Sequence, residues 1–151
     1  MNKLGRKLLV AGLCACMAAA SLTGCGSKAG KAAVTVGDYT ASLGLVNLML
    51  RYNQAQMQCL YASFMGDNMW ETYGETTKNN VVESIENMFL MEQHMSDYGV
   101  SITDEDKTKI TDAAKKFIET NDEKTMKAMN ATQENVERLL TLYTVQSRMY
   151  N

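Results

Sequence analysis

No proline occurs anywhere in the 151 residues, and that absence constrains the fold more than any residue that is present. Proline ends or kinks a helix, because it lacks an N–H and clashes with the carbonyl four residues back. Without it an amphipathic pattern can run for many turns before glycine or asparagine stops it. The spacing predicts a first long helix from about Leu43 to Phe64. Leu43, Val46, Leu50, Asn53, Met57, Leu60 and Phe64 recur there at three- and four-residue steps, with Asn53 the one polar exception. Leu45, Leu48, Met49, Tyr52 and Tyr61 widen this stripe beyond what a surface helix needs, and Gly66-Asp67-Asn68 stops it.

A second helix fits Thr77 to Tyr98, with Val81, Ile85, Met88, Met91, Met95 and Tyr98 as its stripe and Gly99 in the C-cap position. Thr103, followed by Asp104, Glu105 and Asp106, is a cap hydroxyl ahead of acids that suit the positive end of a helix dipole. That third helix passes Ile110, Ala114 and Phe117. A short helix over Glu123 to Met129 and a last one capped by Thr132 follow, the latter turning Val136, Leu139, Leu140, Tyr143 and Met149 inward. Ahead of the helices, Ala33 to Val36 is β-branched and ends at Gly37-Asp38, an extended piece. Thr40 or Ser42 then offers the first N-cap. The expected fold is all-α, a bundle of about four to five helices with a short extended N-terminal segment.

The N-terminus carries a different signal. Lys3, Arg6 and Lys7 precede a stretch without charge from Leu8 to Ser27, the basic and apolar regions of a secretory leader. Leu22-Thr23-Gly24-Cys25 at its end resembles the lipobox of bacterial lipoproteins. The resemblance implies that Cys25 is acylated with a diacylglyceryl group, that residues 1–24 are removed as a signal peptide, and that 25–32 form a tether to a domain over 33–151. Each buried methylene contributes roughly 0.8 kcal/mol, so two or more chains hold stably. The uncharged run is also just long enough to span a bilayer, although Ser21, Thr23, Gly24, Gly26 and Ser27 are poor residues for half of a span.

Removing Lys3, Arg6 and Lys7 with the leader leaves 12 basic against 17 acidic residues, a net charge of −5. That sign argues against a nucleic-acid partner and against docking on anionic lipid through a basic face. Of the four cysteines, Cys14 and Cys16 fall in the leader and Cys25 is taken by lipid. Cys59 then remains as a small apolar filler, with no internal disulfide expected. No catalytic residue, cofactor or metal site is expected. The chain has a single histidine, no Gly-rich phosphate loop and no Gly-x-Ser-x-Gly elbow. His94 stands near Met88, Met91 and Met95, donors that in principle suit Cu(I), but methionine at helical spacing reads as core.

Phe64 to Gly74 holds the only tryptophan and, by pattern, connects two helices. A connection so rich in large apolar groups either folds onto the core or meets a partner. Tyr52, Met57, Tyr61, Phe64, Met65, Met69, Trp70 and Tyr73 are the residues this places on a contact surface.

The order of elements resembles the N-terminal chaperone region of SurA- and PrsA-type foldases, extracytoplasmic folding factors of bacteria. The residues that carry it are the extended Val34-Thr35-Val36-Gly37-Asp38-Tyr39, the capped long helix, and Asp97-Tyr98-Gly99-Val100 leading into Ser101 to Asp106. Glu134 to Tyr143 completes it. It covers about Ala33 to Met149. It implies a lipid-anchored holdase or foldase module, on the outer face of the cytoplasmic membrane of a Gram-positive bacterium, that binds unfolded or partly folded secreted proteins. Family members usually continue into a parvulin-type prolyl isomerase domain, which this chain lacks before Asn151. The alternatives are a truncated prolyl isomerase and a surface lipoprotein that binds one specific protein.

Overall fold

The structure, a computed structural model, describes residues 28–65 and 68–150, leaving out the side chains of 62–65. Within them the chain is mostly helical, with one small sheet. Strand β1 (Ala32–Val36) pairs antiparallel with β2 (Tyr39–Ser42), with a register irregularity between Ala32 and Val34. The turn between them needs glycine twice over. Gly37 adopts φ +57°, and a Cβ there would lie 2.8 Å from the Gln93 amide nitrogen. That amide donates to the Val36 carbonyl at 2.8 Å and ties the hairpin to the helices.

Five helices follow: α1 (Leu43–Met65), α2 (Met69–Gln93), α3 (Asp104–Glu119), α4 (Glu123–Met129) and α5 (Gln133–Met149). A 3₁₀ turn, Met95–Tyr98, joins α2 to α3. The caps explain most of the boundaries. Ser42 Oγ accepts from the Leu45 N–H at 3.1 Å and starts α1. Thr103 and Asp106 form a reciprocal capping box at α3, in which the Asp106 carboxylate accepts from the Thr103 hydroxyl and N–H. These two bonds, the hydroxyl first, hold the Asp106 carboxyl below the usual carboxylate range, and the Arg148 guanidinium adds to it. Asp122 caps α4, Asn130 closes it in the left-handed region, and Thr132 caps α5. Gly99, at φ 66°, ends the 3₁₀ turn.

Two expected boundaries move. The second helix begins at Met69 rather than Thr77, and its α-helical part ends at Gln93, the last turn tightening to 3₁₀. The expected connection from Phe64 to Gly74 therefore shrinks to the few residues between Met65 and Met69. Strand β2 was not expected at all. The chain is hydrogen-bonded from its first described residues: the carbonyls of Ala29 and Lys31 accept from the Gly44 and Leu43 N–H groups at 2.8 and 2.7 Å. Among the described residues no helix is long and apolar enough to cross a membrane.

The core lies where α1, α2, α5 and the β-hairpin meet. Leu48, Ile85, Met88, Phe89 and Leu142 are essentially inaccessible to water. Phe89 sits between Tyr39, with ring centroids 5.8 Å apart, and the Arg138 guanidinium, 5.4 Å from its ring centre. Arg138 in turn grips Glu92 with two bonds of 2.6 Å, and the Glu92 side chain is only 10% exposed. Asn47 on α1 donates to Asn130 Oδ1 at 2.8 Å, and Asn135 on α5 to the Asn130 carbonyl at 2.9 Å, which ties α1, the end of α4 and the start of α5 together.

Breaking the Glu92–Arg138 pair from one side leaves a nearly buried carboxylate without its partner. Arg138→Met should therefore cost about 2–4 kcal/mol in urea unfolding, somewhat below a fully buried pair because Arg138 retains some exposure. Replacing both residues, with Glu92→Met added, should recover most of that loss. A double variant as unstable as the single would show that the helices depend on the pair itself.

Candidate functional site

The core does not extend along the whole of α1 and α2. It ends at Met49 on α1 and Val81 on α2, with Tyr52 resting on its edge. Past these points both helices continue beside each other, over residues 53–65 and 69–80, for about 20 Å of paired helix. Only Ala55, Met69 and Thr77 are buried in this distal arm among the described side chains. The facing residues explain why. Thr72, Glu75, Thr76 and Lys78 are exposed, and Met69, Trp70, Tyr73 and Thr77 are what α2 brings to α1 there, with no third element to cover the rest.

The polar contacts across the arm join one helix to the other. The Trp70 indole N–H donates to Gln58 Oε1 at 3.0 Å and the ring is half-buried. The Thr77 hydroxyl lies 3.8 Å from the Met57 sulfur across on α1, and within α2 it donates to the Tyr73 carbonyl at 2.8 Å. Between the helices is an open cleft of about 330 Å³ lined by Met49, Asn53, Met57, Tyr73, Thr77 and neighbouring residues of α2. Tyr73, at the cleft, is 40% exposed, and on α1 outside it Leu60 is 66% and Tyr61 48% exposed. Three large apolar side chains on one thin extension form a surface ready for apolar contact.

The expected contact residues divide accordingly. Met57 and Tyr73 share the cleft, Tyr61 is exposed, and Trp70 is held by Gln58 at the arm's far end. Met69 is a correction: at 3% exposure it belongs inside, because it opens α2 against α1 instead of lying in a loop. Tyr52 is half-buried on the core, where burial raises its phenol above the usual range. Tyr143 is pushed up to about 12, by burial first and by Tyr52 beside it second. The side chains of Phe64 and Met65 lie outside the described residues, as do Leu22, Thr23, Gly24 and Cys25.

Four residues depart from the expected pattern: Leu43 and Tyr98, expected inward, are 39% and 73% exposed because they end their stripes beyond the packed core, and Leu60 and Cys59 depart within the arm. Leu60 is a member of the predicted inward stripe, yet it is the most exposed apolar side chain of the arm. The buried line of α1 runs through Leu45, Leu48, Met49 and Ala55 instead. Cys59, expected as an apolar filler with no disulfide, is exposed and disulfide-bonded. The other cysteines, Cys14, Cys16 and Cys25, lie outside the described residues. No group of three or more His, Cys, Asp or Glu suited to a metal ion occurs among the described residues. Comparison with protein-family models, with curated proteins and with solved structures finds no match.

Gly74 gives a handle on the arm. It sits within α2, its backbone is not in the left-handed region, and a Cβ there would meet nothing within 4 Å. Gly74→Ala should raise stability by roughly 0.5–1 kcal/mol, since glycine only loses entropy in a helix interior. The gain should appear as slower amide exchange over residues 69–80. Faster exchange there would mean that this part of α2 is not helical in solution.

Proposed function

We propose that the chain is an exported, lipid-anchored chaperone module that holds unfolded or partly folded secreted polypeptides through the α1–α2 arm. The observation that supports this reading is the exposure of Leu60, Tyr61 and Tyr73 on an extension that the core does not need. Unfolded chains differ in sequence and share exposed apolar side chains. A receptor for them gains from aromatic rings that present large contact area and from methionine, whose unbranched thioether chain adapts to many shapes. Met57 in the cleft adds that adaptable surface beside Tyr73. The Asn53 side-chain oxygen in the cleft can accept from a client's backbone N–H without reading its side chains.

The basic leader and Leu22-Thr23-Gly24-Cys25 support export and acylation, and the resemblance to SurA- and PrsA-type foldases supports the client class. An anchor placed just ahead of Lys28 would keep the arm close to the membrane where exported chains emerge.

Aggregation of two unrelated unfolded proteins should slow in the presence of the purified chain, and Leu60→Ser combined with Tyr61→Ser and Tyr73→Ser should abolish the effect while leaving the helical content unchanged. Protection of only one of the two would favour a specific-partner lipoprotein. Protection that survives the triple substitution would place the contact surface elsewhere.

The anchor is tested separately. Cys25→Ser removes the thiol that would receive lipid, so metabolic labelling with a fatty-acid analogue should be lost and the precursor left uncut. A wild-type chain that takes no label yet stays with membranes would make the leader a transmembrane anchor. A Cys25→Ser chain that labels as well as wild type would put acylation at another residue.

A further inference from the structure

We propose that His94, Met91 and Met149 form a binding site for a soft monovalent cation, Cu(I). The three residues line one open pocket of about 430 Å³ at the end of the bundle away from the arm, together with Leu90, Tyr98 and Tyr150. Each donor is delivered by a different local device. Met91 precedes His94 by three residues in the last turn of α2, so the two lie on one side of the helix. His94 is the residue at which α2 ends and the 3₁₀ turn begins. That turn brings Asp97 back over the ring, with Nδ1 and Asp97 Oδ2 2.7 Å apart.

A carboxylate only accepts, so His94 Nδ1 carries the proton and the free lone pair is on Nε2. This is the arrangement in which an outer carboxylate fixes the tautomer and orientation of a metal-binding imidazole. Met149 comes from the end of α5. Its neighbour Arg148 is tied to Asp106 at 2.7 Å and to the Ser101 carbonyl, which holds the last turn of α5 against the segment leading into α3.

Two thioethers and one imidazole are a soft, uncharged donor set. It suits Cu(I) and offers little to Zn²⁺, Ca²⁺ or Mg²⁺, which prefer thiolate, imidazole or oxygen. The exposed Asp97 carboxylate beside His94 supplies the only charge in the constellation, and its sign favours a cation. Met88, which the sequence places near His94, takes no part because it is fully buried in the core. The site stands apart from the arm and does not depend on how clients are bound.

The test uses the full chain labelled with ¹³C at the methionine methyl groups and titrated with Ag(I), a redox-silent ion of the same charge and softness as Cu(I). The Met91 and Met149 methyl signals should shift together and saturate at one common ion. His94→Ala and Met149→Leu should each weaken that binding by about tenfold or more. The buried Met88 and Met129 methyls report that each variant keeps its fold. Neither substitution touches a cysteine, so any silver held by cysteine sulfur is common to all of the variants. Unmoved Met91 and Met149 signals at several equivalents of Ag(I) would overturn the proposal. A shift that His94→Ala leaves unchanged would overturn it as well.

Discussion

Phe89 is where the elements of this fold meet. Its ring is enclosed by the aromatic face of Tyr39 on β2 and the guanidinium of Arg138 on α5, while Ile85 and Met88 carry the same face of α2 toward α1 and the rest of α5. Arg138 serves twice there. Its charge lies over the ring, and its two N–H groups hold Glu92 one turn further along α2. Burying a carboxylate is costly unless it is paired and hydrogen-bonded, and this bidentate geometry meets both conditions. The β-hairpin, which would be unstable alone, is held by Tyr39 on that ring and by the Gln93 amide on the Val36 carbonyl.

Because the core is concentrated around this turn of α2, the two longest helices are longer than the core requires. Helix α1 has 23 residues and α2 has 25, while α5, which packs on both, has 17. The excess forms the arm. Among the described side chains only Ala55, Met69 and Thr77 are buried there, far fewer than a core supplies, beside the Trp70–Gln58 hydrogen bond, the Thr77–Met57 contact and the disulfide at Cys59. A segment with little buried apolar area lies at the low end of local stability. That suits a surface that adapts to what it holds. The proposed function and the proposed cation site thus occupy opposite ends of α2, with the buried turn around Phe89 between them.

Much of this was legible in the sequence. Thr103, Thr132 and Ser42 cap helices as their hydroxyls suggest, and the short helix at Glu123–Met129 and the burial of Val81, Ile85, Met88, Val136 and Leu139 follow from spacing. Leu142 and Val145, however, fill the core in place of Leu140 and Tyr143. The start of α2 was not legible, because Trp70, Tyr73 and Gly74 look like a loop when nothing shows that α1 runs beside them. Periodicity reports which side chains share a face and not whether a neighbour reaches that far along the helix. Leu60 therefore read as buried although it is exposed. Strand β2 was missed because Tyr39–Ser42 is only four residues long and its pairing is set by Gly37. That Met149 and His94 line one pocket depends on how α5 returns over about half of the helical chain, which no local pattern encodes.

Amide hydrogen exchange of the chain, alone and with a saturating unfolded client, tests the central claim most directly. If the arm is the binding surface, the client will slow exchange over 53–61 and 69–80 and leave α3, α4 and the turns around Phe89 unchanged. Slowing confined to the bundle, or no slowing in the arm while the client is bound, would contradict it.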